Sequence, residues 1–139
     1  MTAQQNLNEG DGGFYIDKAV TILCDVTDWD NEDTRNVGIY RLQVKGKNRM
    51  SIQPVPAHDI AIHLRKAEEI GQDLPIAMCI GNDPIINTVG SMPIFCNQSE
   101  YKMAGAIAQE PYPVAKARNG LQVLWGLRSF LKENSFEGS

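Results

Sequence analysis

Two polar segments carry the side chains of this sequence that could do chemistry. Residues 36–44 place Asn36 and Arg41 among aliphatic residues, and residues 53–58 run from Gln53 to His58. An amide, a guanidinium and an imidazole are groups that bind anions, metal ions or polar ligands. A hairpin with a purely structural role has little need of this set, so the two segments are the first candidates for a functional site.

Arg41 can be explained in two ways. If residues 37–44 form one strand, period-two alternation places Arg41 on the same face as Val37 and Ile39. A guanidinium on a buried face costs on the order of several kcal/mol unless an anion meets it. Arg41 therefore either binds an anion or lies in water on an edge strand, and the pattern alone favours the edge strand.

His58 also has two interpretations. It precedes a predicted helix, whose N terminus favours an anion, and neutral imidazole is a common metal ligand. The simpler interpretation is a histidine that packs at the helix start and bonds to the backbone. His63 lies within the same helix and is expected at the surface.

The elements that position these groups follow from the residue pattern. Residues 14–27, 37–44 and 50–53 are predicted to form three consecutive antiparallel strands, ended by prolines. Apolar spacing predicts a helix over residues 59–70, capped by Asp59 and followed by Gly71. Further elements are expected at residues 74–80 (buried strand), from Pro84 (helix), at residues 99–108 (helix) and at residues 121–124 (strand). The expected class is α/β (α+β), with antiparallel hairpin strands and two or three packed helices.

Composition limits the class of protein. The chain has 139 residues, 42% of them hydrophobic, which suits one globular domain. A net charge of −4 without a basic cluster argues against nucleic acid or an anionic membrane as partner. Three widely spaced cysteines indicate neither a disulfide framework nor a zinc site and fit a reducing cytoplasm. Residues 1–13 are polar and expected to be flexible, and no apolar run predicts a signal peptide or a membrane span.

Taken together, these segments resemble the UbiD family of non-oxidative decarboxylases. Members of that family use prenylated flavin mononucleotide (prFMN) to release carbon dioxide from aromatic and α,β-unsaturated acids. The resemblance extends in order and spacing over roughly residues 11–126. The motifs that carry it are Asp11-Gly12-Gly13-Phe14-Tyr15-Ile16, Asn36-Val37-Gly38-Ile39-Tyr40-Arg41-Leu42-Gln43-Val44, Gln53-Pro54-Val55-Pro56-Ala57-His58, Gly81-Asn82-Asp83-Pro84-Ile85-Ile86 and Ser99-Glu100-Tyr101-Lys102-Met103-Ala104-Gly105-Ala106.

The resemblance implies that residues 14–126 form part of the family's prFMN-binding domain, which is built like a split β-barrel. It implies that Asn36 and His58 are ligands of a divalent metal (Mn²⁺ or Mg²⁺, with K⁺ as a further candidate ion) that bridges to the flavin phosphate. Arg41 would be the catalytic residue that binds the substrate carboxylate, a bidentate task to which lysine is poorly suited. The cofactor contacts that the resemblance implies are Ile39, Tyr40, Arg41, Gln53, Pro54, Val55 and His58.

The chain departs from the family pattern near its end. Members of the family are several times longer, and after the segment that resembles residues 121–126 they continue with a Ser-Glu pair whose glutamate completes the metal site. Here Arg128 or Ser129 stands at that position, so the metal site is expected to lack one carboxylate. Residues 127–139 are therefore expected to be a divergent tail from a truncated or frame-shifted gene, and the general acid to be absent.

These expectations combine into a cytoplasmic decarboxylase of the UbiD type, present as a fragment with little turnover of its own. Its expected partners are a small aromatic or unsaturated acid and a flavin prenyltransferase that supplies the cofactor, and the family forms homo-oligomers. Two alternatives stay open: a non-catalytic flavin-binding subunit and a non-functional remnant.

Overall fold

The computed structural model describes residues 4–5, 10, 12–54, 56, 58–93, 98–126 and 130–136, and for residues 4–5 and 130–136 the backbone alone. Within these residues the chain forms ten strands, three α-helices and one 3₁₀ turn, Glu32–Thr34. The strands are β1 (Gln4–Gln5), β2 (Phe14–Ile16), β3 (Val20–Leu23), β4 (Asn36–Ile39), β5 (Leu42–Val44), β6 (Met50–Ile52), β7 (Leu74–Ile80), β8 (Val114–Lys116), β9 (Gln122–Leu124) and β10 (Phe130–Phe136). The helices are α1 (Asp59–Glu69), α2 (Pro84–Ser91) and α3 (Glu100–Ala108).

The central sheet joins strands that lie far apart in the sequence. Its order is β10-β7-β3-β4, and every neighbouring pair is antiparallel. All four residues of β3 are buried, as expected for an interior strand covered on both faces. A second antiparallel sheet has the order β1-β2-β5-β6, and β8 pairs with β9.

Two hydrophobic cores lie on opposite faces of the central sheet. One core contains Ile86 of α2, and the other contains Ile60 of α1 together with residues of the second sheet. Alternation along β7 sends Ala77 into the first core and Ile76 into the second. The central sheet therefore fixes the positions of α1, α2 and α3 relative to β4.

The helix ends follow signals in the sequence. After α1, Gly71 has a φ of +67°, in the left-handed region that glycine adopts without strain. α2 begins with Pro84, and the Asp83 carboxylate accepts a hydrogen bond of 2.8 Å from a backbone N–H of the first turn. The N-cap of α1 is His58 instead of the predicted Asp59, and the His58 side chain makes no capping hydrogen bond. Among the described helices, none is long and apolar enough to cross a membrane.

Most of the predicted elements are confirmed. α1, α3, β6, β7 and β9 begin and end within about one residue of the expected bounds, which is the usual uncertainty of such assignments, and α2 begins at Pro84 as predicted. The mixed class, the antiparallel pairing and the number of helices agree with the expectation. The described strands form three separate sheets and no closed barrel.

Two segments predicted as single strands are each divided between two sheets. Residues 14–27 form β2 and β3, and residues 37–44 fall into β4 and β5, the latter two separated by Tyr40 and Arg41. β3 and β4 belong to the central sheet, whereas β2 and β5 belong to the second sheet. The prediction that Arg41 shares a strand face with Val37 and Ile39 was therefore wrong, because local alternation does not reveal where a chain leaves one sheet for another.

The backbone of part of the predicted tail lies in the central sheet. β10 pairs with the whole of β7, from Phe130 opposite Ile80 to Phe136 opposite Leu74. Residues 127–129 and 137–139, including both positions expected for the missing glutamate, lie outside the described residues. The origin of the tail in an altered gene stays a prediction.

Asp83→Ala should lower the free energy of unfolding by about 1 kcal/mol, because it removes the N-cap of α2. Asp83→Asn should cost much less, since an amide oxygen accepts the same hydrogen bond. Urea unfolding followed by circular dichroism compares the two variants with the unmodified chain. Equal losses in both would mean that the charge of Asp83, and not its hydrogen bond, stabilises α2.

Candidate functional site

One asparagine amide joins three separate segments of the chain. Asn36 is the first residue of β4 and is only 8% exposed. Its Nδ2 donates hydrogen bonds to Asp59 Oδ2 at 3.0 Å and to Glu100 Oε1 at 3.3 Å. Asp59 begins α1 and Glu100 begins α3. We call these three residues the amide–carboxylate cluster.

Two oxygen atoms of the cluster are buried and have no hydrogen-bond partner among the described residues. They are Asn36 Oδ1 and Glu100 Oε2. Buried polar atoms in folded proteins are nearly always paired, so each exception needs an explanation. Amide and carboxylate oxygens are the ligands that hard divalent cations prefer, and a cation would pair both atoms.

The electrostatics of Glu100 point in the same direction. Glu100 is 6% exposed. Burial raises the pKa of its carboxyl to about 7, and the Asp59 carboxylate adds to this, while backbone N–H groups oppose it. The ionised form of Glu100 is therefore disfavoured in this place, and a cation that stabilised it would compete with the proton near neutral pH.

A cavity of about 580 Å³ opens beside the cluster. Its walls are β4, the start of α1, the end of α2 and the first residue of α3. This volume lies in the range of pockets that hold cofactors and small ligands. The predicted site residues in its lining are Asn36, Ile39, Tyr40 and His58.

The side chain of Tyr40, the residue that follows β4, contacts the start of α1. Its ring lies directly over Gly38, where a Cβ atom would come within 2.6–2.9 Å of ring atoms. The ring centroid is 6.2 Å from that of His58, and the hydroxyl interacts with the backbone of Ile60. Burial, assisted by the charge of Asp59, raises the pKa of Tyr40 to about 12, so the phenol stays neutral at physiological pH. Tyr40 thus positions the helix start that carries His58.

A smaller cavity of about 150 Å³ shares the cluster and is also lined by Asp25, His63 and Lys66. Asp25 pairs with Lys66, and although burial opposes it, hydrogen bonds from Lys66 and Thr27 lower the pKa of Asp25 to about 2. His63 was expected at the surface but is half-buried, and its Nδ1 has no hydrogen-bond partner in the described part of the chain. Burial lowers the pKa of His63. The expectation failed because the position of a residue along a helix does not reveal what packs against it.

The other predicted site residues lie outside the lining of the larger cavity. Arg41 is exposed, and its guanidinium stacks over the Tyr15 ring at 4.1 Å from the centroid. After β6, Gln53 is exposed and Pro54 is half-buried. Val55 is outside the described residues. In the structure, Arg41 therefore meets an aromatic ring at the surface.

Sequence reasoning missed the carboxylate beside Asn36. The metal site was expected to lack one carboxylate ligand, and the structure places the Glu100 carboxylate 3.3 Å from the Asn36 amide nitrogen. The pair Ser99-Glu100 is a usable signal in the sequence, because the resemblance to the family includes a Ser-Glu pair. An acidic residue in the first turn of a helix is ordinary, so the pair is not distinctive without the structure.

Most of the chain matches the model of one protein family. Residues 3–126 match the model of the UbiD 3-octaprenyl-4-hydroxybenzoate carboxy-lyase Rift-related domain. The chain belongs to the UbiD family. Among its UbiD relatives, the phenolic acid decarboxylase of Escherichia coli O157:H7 is 56% identical over 127 residues, which are 91% of this chain and 27% of the relative. That of Bacillus subtilis (strain 168) is 52% identical over 139 residues, covering 95% of this chain and 29% of the relative. The chain thus spans less than a third of the length of either enzyme.

Solved UbiD structures have the same fold. The vanillic acid decarboxylase of Sedimentibacter hydroxybenzoicus in its closed form gives a TM-score of 0.87 at 40% identity, over 94% of this chain and 28% of that one. An evolved dimeric form of the UbiD-class enzyme HmfF from Pelotomaculum thermopropionicum was solved in complex with prFMN. It gives a TM-score of 0.75 at 31% identity, over 84% of this chain and 26% of that one.

Gly38→Ala should destabilise the chain by about 1–3 kcal/mol, because the new methyl group displaces the Tyr40 ring. Gly46→Ala is the matched control, since a Cβ atom there meets nothing within 4 Å. Urea unfolding measures the change in the free energy of unfolding for both variants. The cost of Gly38→Ala should shrink when Tyr40 is also changed to alanine, and an unchanged cost would mean that the ring is not what the methyl group displaces.

Glu100→Gln should stabilise the metal-free chain more at pH 8 than at pH 5. The pKa of the Glu100 carboxyl is ordinarily 4.5 and is raised to about 7 in the fold. As the pH rises, the unfolded chain therefore loses this proton at a lower pH than the folded chain. The ionised, buried Glu100 therefore destabilises the fold increasingly between these two values, and its replacement removes that cost. At about 1.4 kcal/mol per pKa unit, the gain at pH 8 reaches roughly 3 kcal/mol.

Urea unfolding in the presence of EDTA at both pH values measures this gain. Glu69→Gln is the control, because Glu69 is exposed at the end of α1 and lies outside the amide–carboxylate cluster. A gain from Glu100→Gln that is independent of pH would contradict the prediction.

Proposed function

We propose that this chain provides the metal- and prFMN-binding part of a non-oxidative decarboxylase that acts on aromatic acids. The observation that supports this most strongly is a pair of buried oxygens, Asn36 Oδ1 and Glu100 Oε2, without a hydrogen-bond partner among the described residues. Both residues belong to the lining of a cavity of about 580 Å³ in a UbiD fold. Phenolic and vanillic acid decarboxylases among the relatives favour an aromatic over an enoic acid.

The cluster offers oxygen ligands for a divalent cation, although no three histidine, cysteine, aspartate or glutamate side chains of the described residues form a metal-binding group. Asn36 Oδ1 and Glu100 Oε2 would be its oxygen ligands, and His58, in the lining of the same cavity, its nitrogen ligand. The oxygen ligands suit Mn²⁺ or Mg²⁺, and the imidazole, a ligand of transition metals, favours Mn²⁺ of the two. Glu100 would thereby supply the metal-binding carboxylate that the resemblance implies at the position of Arg128 or Ser129. K⁺ remains a candidate from the resemblance to the family alone.

prFMN, when bound, supplies an electron sink for the departing carboxyl group. The residues of this chain would bind the cofactor and orient it. Ile39 and Tyr40 contribute apolar surface to the cavity wall, and Tyr40 keeps the start of α1 in place. Gln53, Pro54 and Val55 would extend the cofactor contact.

Arg41 would bind the carboxylate of the substrate. Stacking on Tyr15 occupies the face of its guanidinium and leaves the N–H groups at the edge to form two parallel hydrogen bonds with a carboxylate. Because this chain spans only 27–29% of its phenolic acid decarboxylase relatives, we expect little turnover from it alone.

The test is to produce the chain in cells together with a flavin prenyltransferase, and to record the absorbance spectrum and the mass of the released ligand. The unmodified chain and Asn48→Ala, an exposed control, should retain prFMN. Asn36→Ala and Glu100→Gln should lose it, because each variant removes an oxygen that would hold the metal ion. Carbon dioxide release from vanillate, 4-hydroxybenzoate and 3,4-dihydroxybenzoate is measured on the same samples.

Each outcome has a separate meaning. Retained prFMN without carbon dioxide release would favour a cofactor-binding subunit that acts beside another chain. Folded protein that never retains a flavin, or equal retention in Asn36→Ala and the unmodified chain, would contradict the proposal.

A further inference from the structure

We propose that Asp59 is a positioning residue that fixes the Asn36 amide with its oxygen turned toward the metal ion. This inference rests on the proposed function, because it concerns the metal site described there. It gives Asp59 a role through its hydrogen bond to Asn36 and not as a ligand.

The two ends of the Asn36 amide group differ in what they can bind. Rotation of an asparagine side chain by half a turn exchanges its Oδ1 and Nδ2, and only the oxygen can bind a cation. In the structure Nδ2 faces carboxylate oxygens of Asp59 and Glu100, while Oδ1 is buried without a partner in the described part of the chain. Two acceptors on one side therefore select the orientation that keeps the oxygen available.

Glu100 cannot hold this orientation by itself once a cation is bound. Its hydrogen bond from Nδ2 is the longer of the two, 3.3 Å against 3.0 Å for Asp59. A cation that binds the Glu100 carboxylate also draws away the charge that makes this oxygen a strong acceptor. Asp59 is then the group that keeps the NH₂ end turned away from the metal.

The place of Asp59 in the fold suits this task. It is the first residue of α1, where the helix dipole stabilises a carboxylate. It is half-buried, and it lines both cavities together with Asn36 and Glu100. Groups that orient a metal ligand in this way commonly change metal affinity by about 10–100-fold when they are removed.

The experiment measures Mn²⁺ binding to the full chain, freed of metal with EDTA and dialysed, at pH 8. Free Mn²⁺ is followed by its electron paramagnetic resonance signal, which needs no flavin and no turnover. The proteins are the unmodified chain, Asp59→Ala, Asp59→Asn, Asn36→Ala, Glu100→Gln and the double variant Asp59→Ala/Asn36→Ala. Asp73→Ala is the control for loss of one exposed negative charge.

Asp59→Ala should weaken Mn²⁺ binding about tenfold. Asp59→Asn should weaken it by no more than about threefold, because its amide oxygen still accepts the hydrogen bond, although less strongly than a carboxylate. In the Asn36→Ala background, Asp59→Ala should change binding by less than about twofold, since a residue that acts through Asn36 has nothing left to act on. Circular dichroism checks folding, and Asp59→Ser replaces Asp59→Ala if the alanine variant is not folded.

Two results would overturn the inference and leave the proposed function intact. One is an equal loss in Asp59→Ala and Asp59→Asn that persists without Asn36, which would make Asp59 a ligand. The other is unchanged binding in Asp59→Ala while Asn36→Ala and Glu100→Gln bind weakly. If neither Asn36→Ala nor Glu100→Gln weakens Mn²⁺ binding, both the proposed metal site and the role of Asp59 are wrong.

Discussion

The hydrogen bonds of the Asn36 amide are the constraint on which the candidate site depends. Two carboxylates approach one Nδ2 group, which offsets part of the repulsion that they would otherwise feel in a partly buried place. Their positions in the sequence are 23 and 64 residues away from Asn36. Only the central sheet, with a core on each face, brings the starts of α1 and α3 to the same end of β4.

The break between β4 and β5 separates two kinds of chemistry within one short segment. Before the break, Asn36 remains in the central sheet, where buried oxygen atoms suit a cation. After it, the chain joins the second sheet, and Arg41 lies at the surface beside Tyr15 of the same sheet. A continuous strand would have put the guanidinium on a face shared with Val37 and Ile39, at a cost that only an anion could offset.

The parts of the fold that the sequence predicts well are those determined by local chemistry. α2 follows from Pro84 and its Asp83 cap, and β7 follows from a short apolar run. The division of the early strands between sheets depends on which core each residue joins, which no local pattern contains. The same holds for the site: Asn36 is recognisable from its motif, whereas Glu100 looks like any acid at a helix start until burial shows otherwise.

A cation bound at this cluster would couple its affinity to the stability of the fold. If the cluster served the fold alone, a fully paired network or apolar side chains would be more stable than unpaired oxygens beside an ionisable, buried glutamate. A cation would bind both Asn36 Oδ1 and Glu100 Oε2 and favour the ionised carboxylate. Binding would then remove the free-energy cost of these groups in the metal-free fold, and this gain would add to the affinity for the cation. Buried polar atoms without partners are expected where a fold forms a binding site before its ligand arrives. At such positions the local packing is less stable, and the surrounding core offsets the loss.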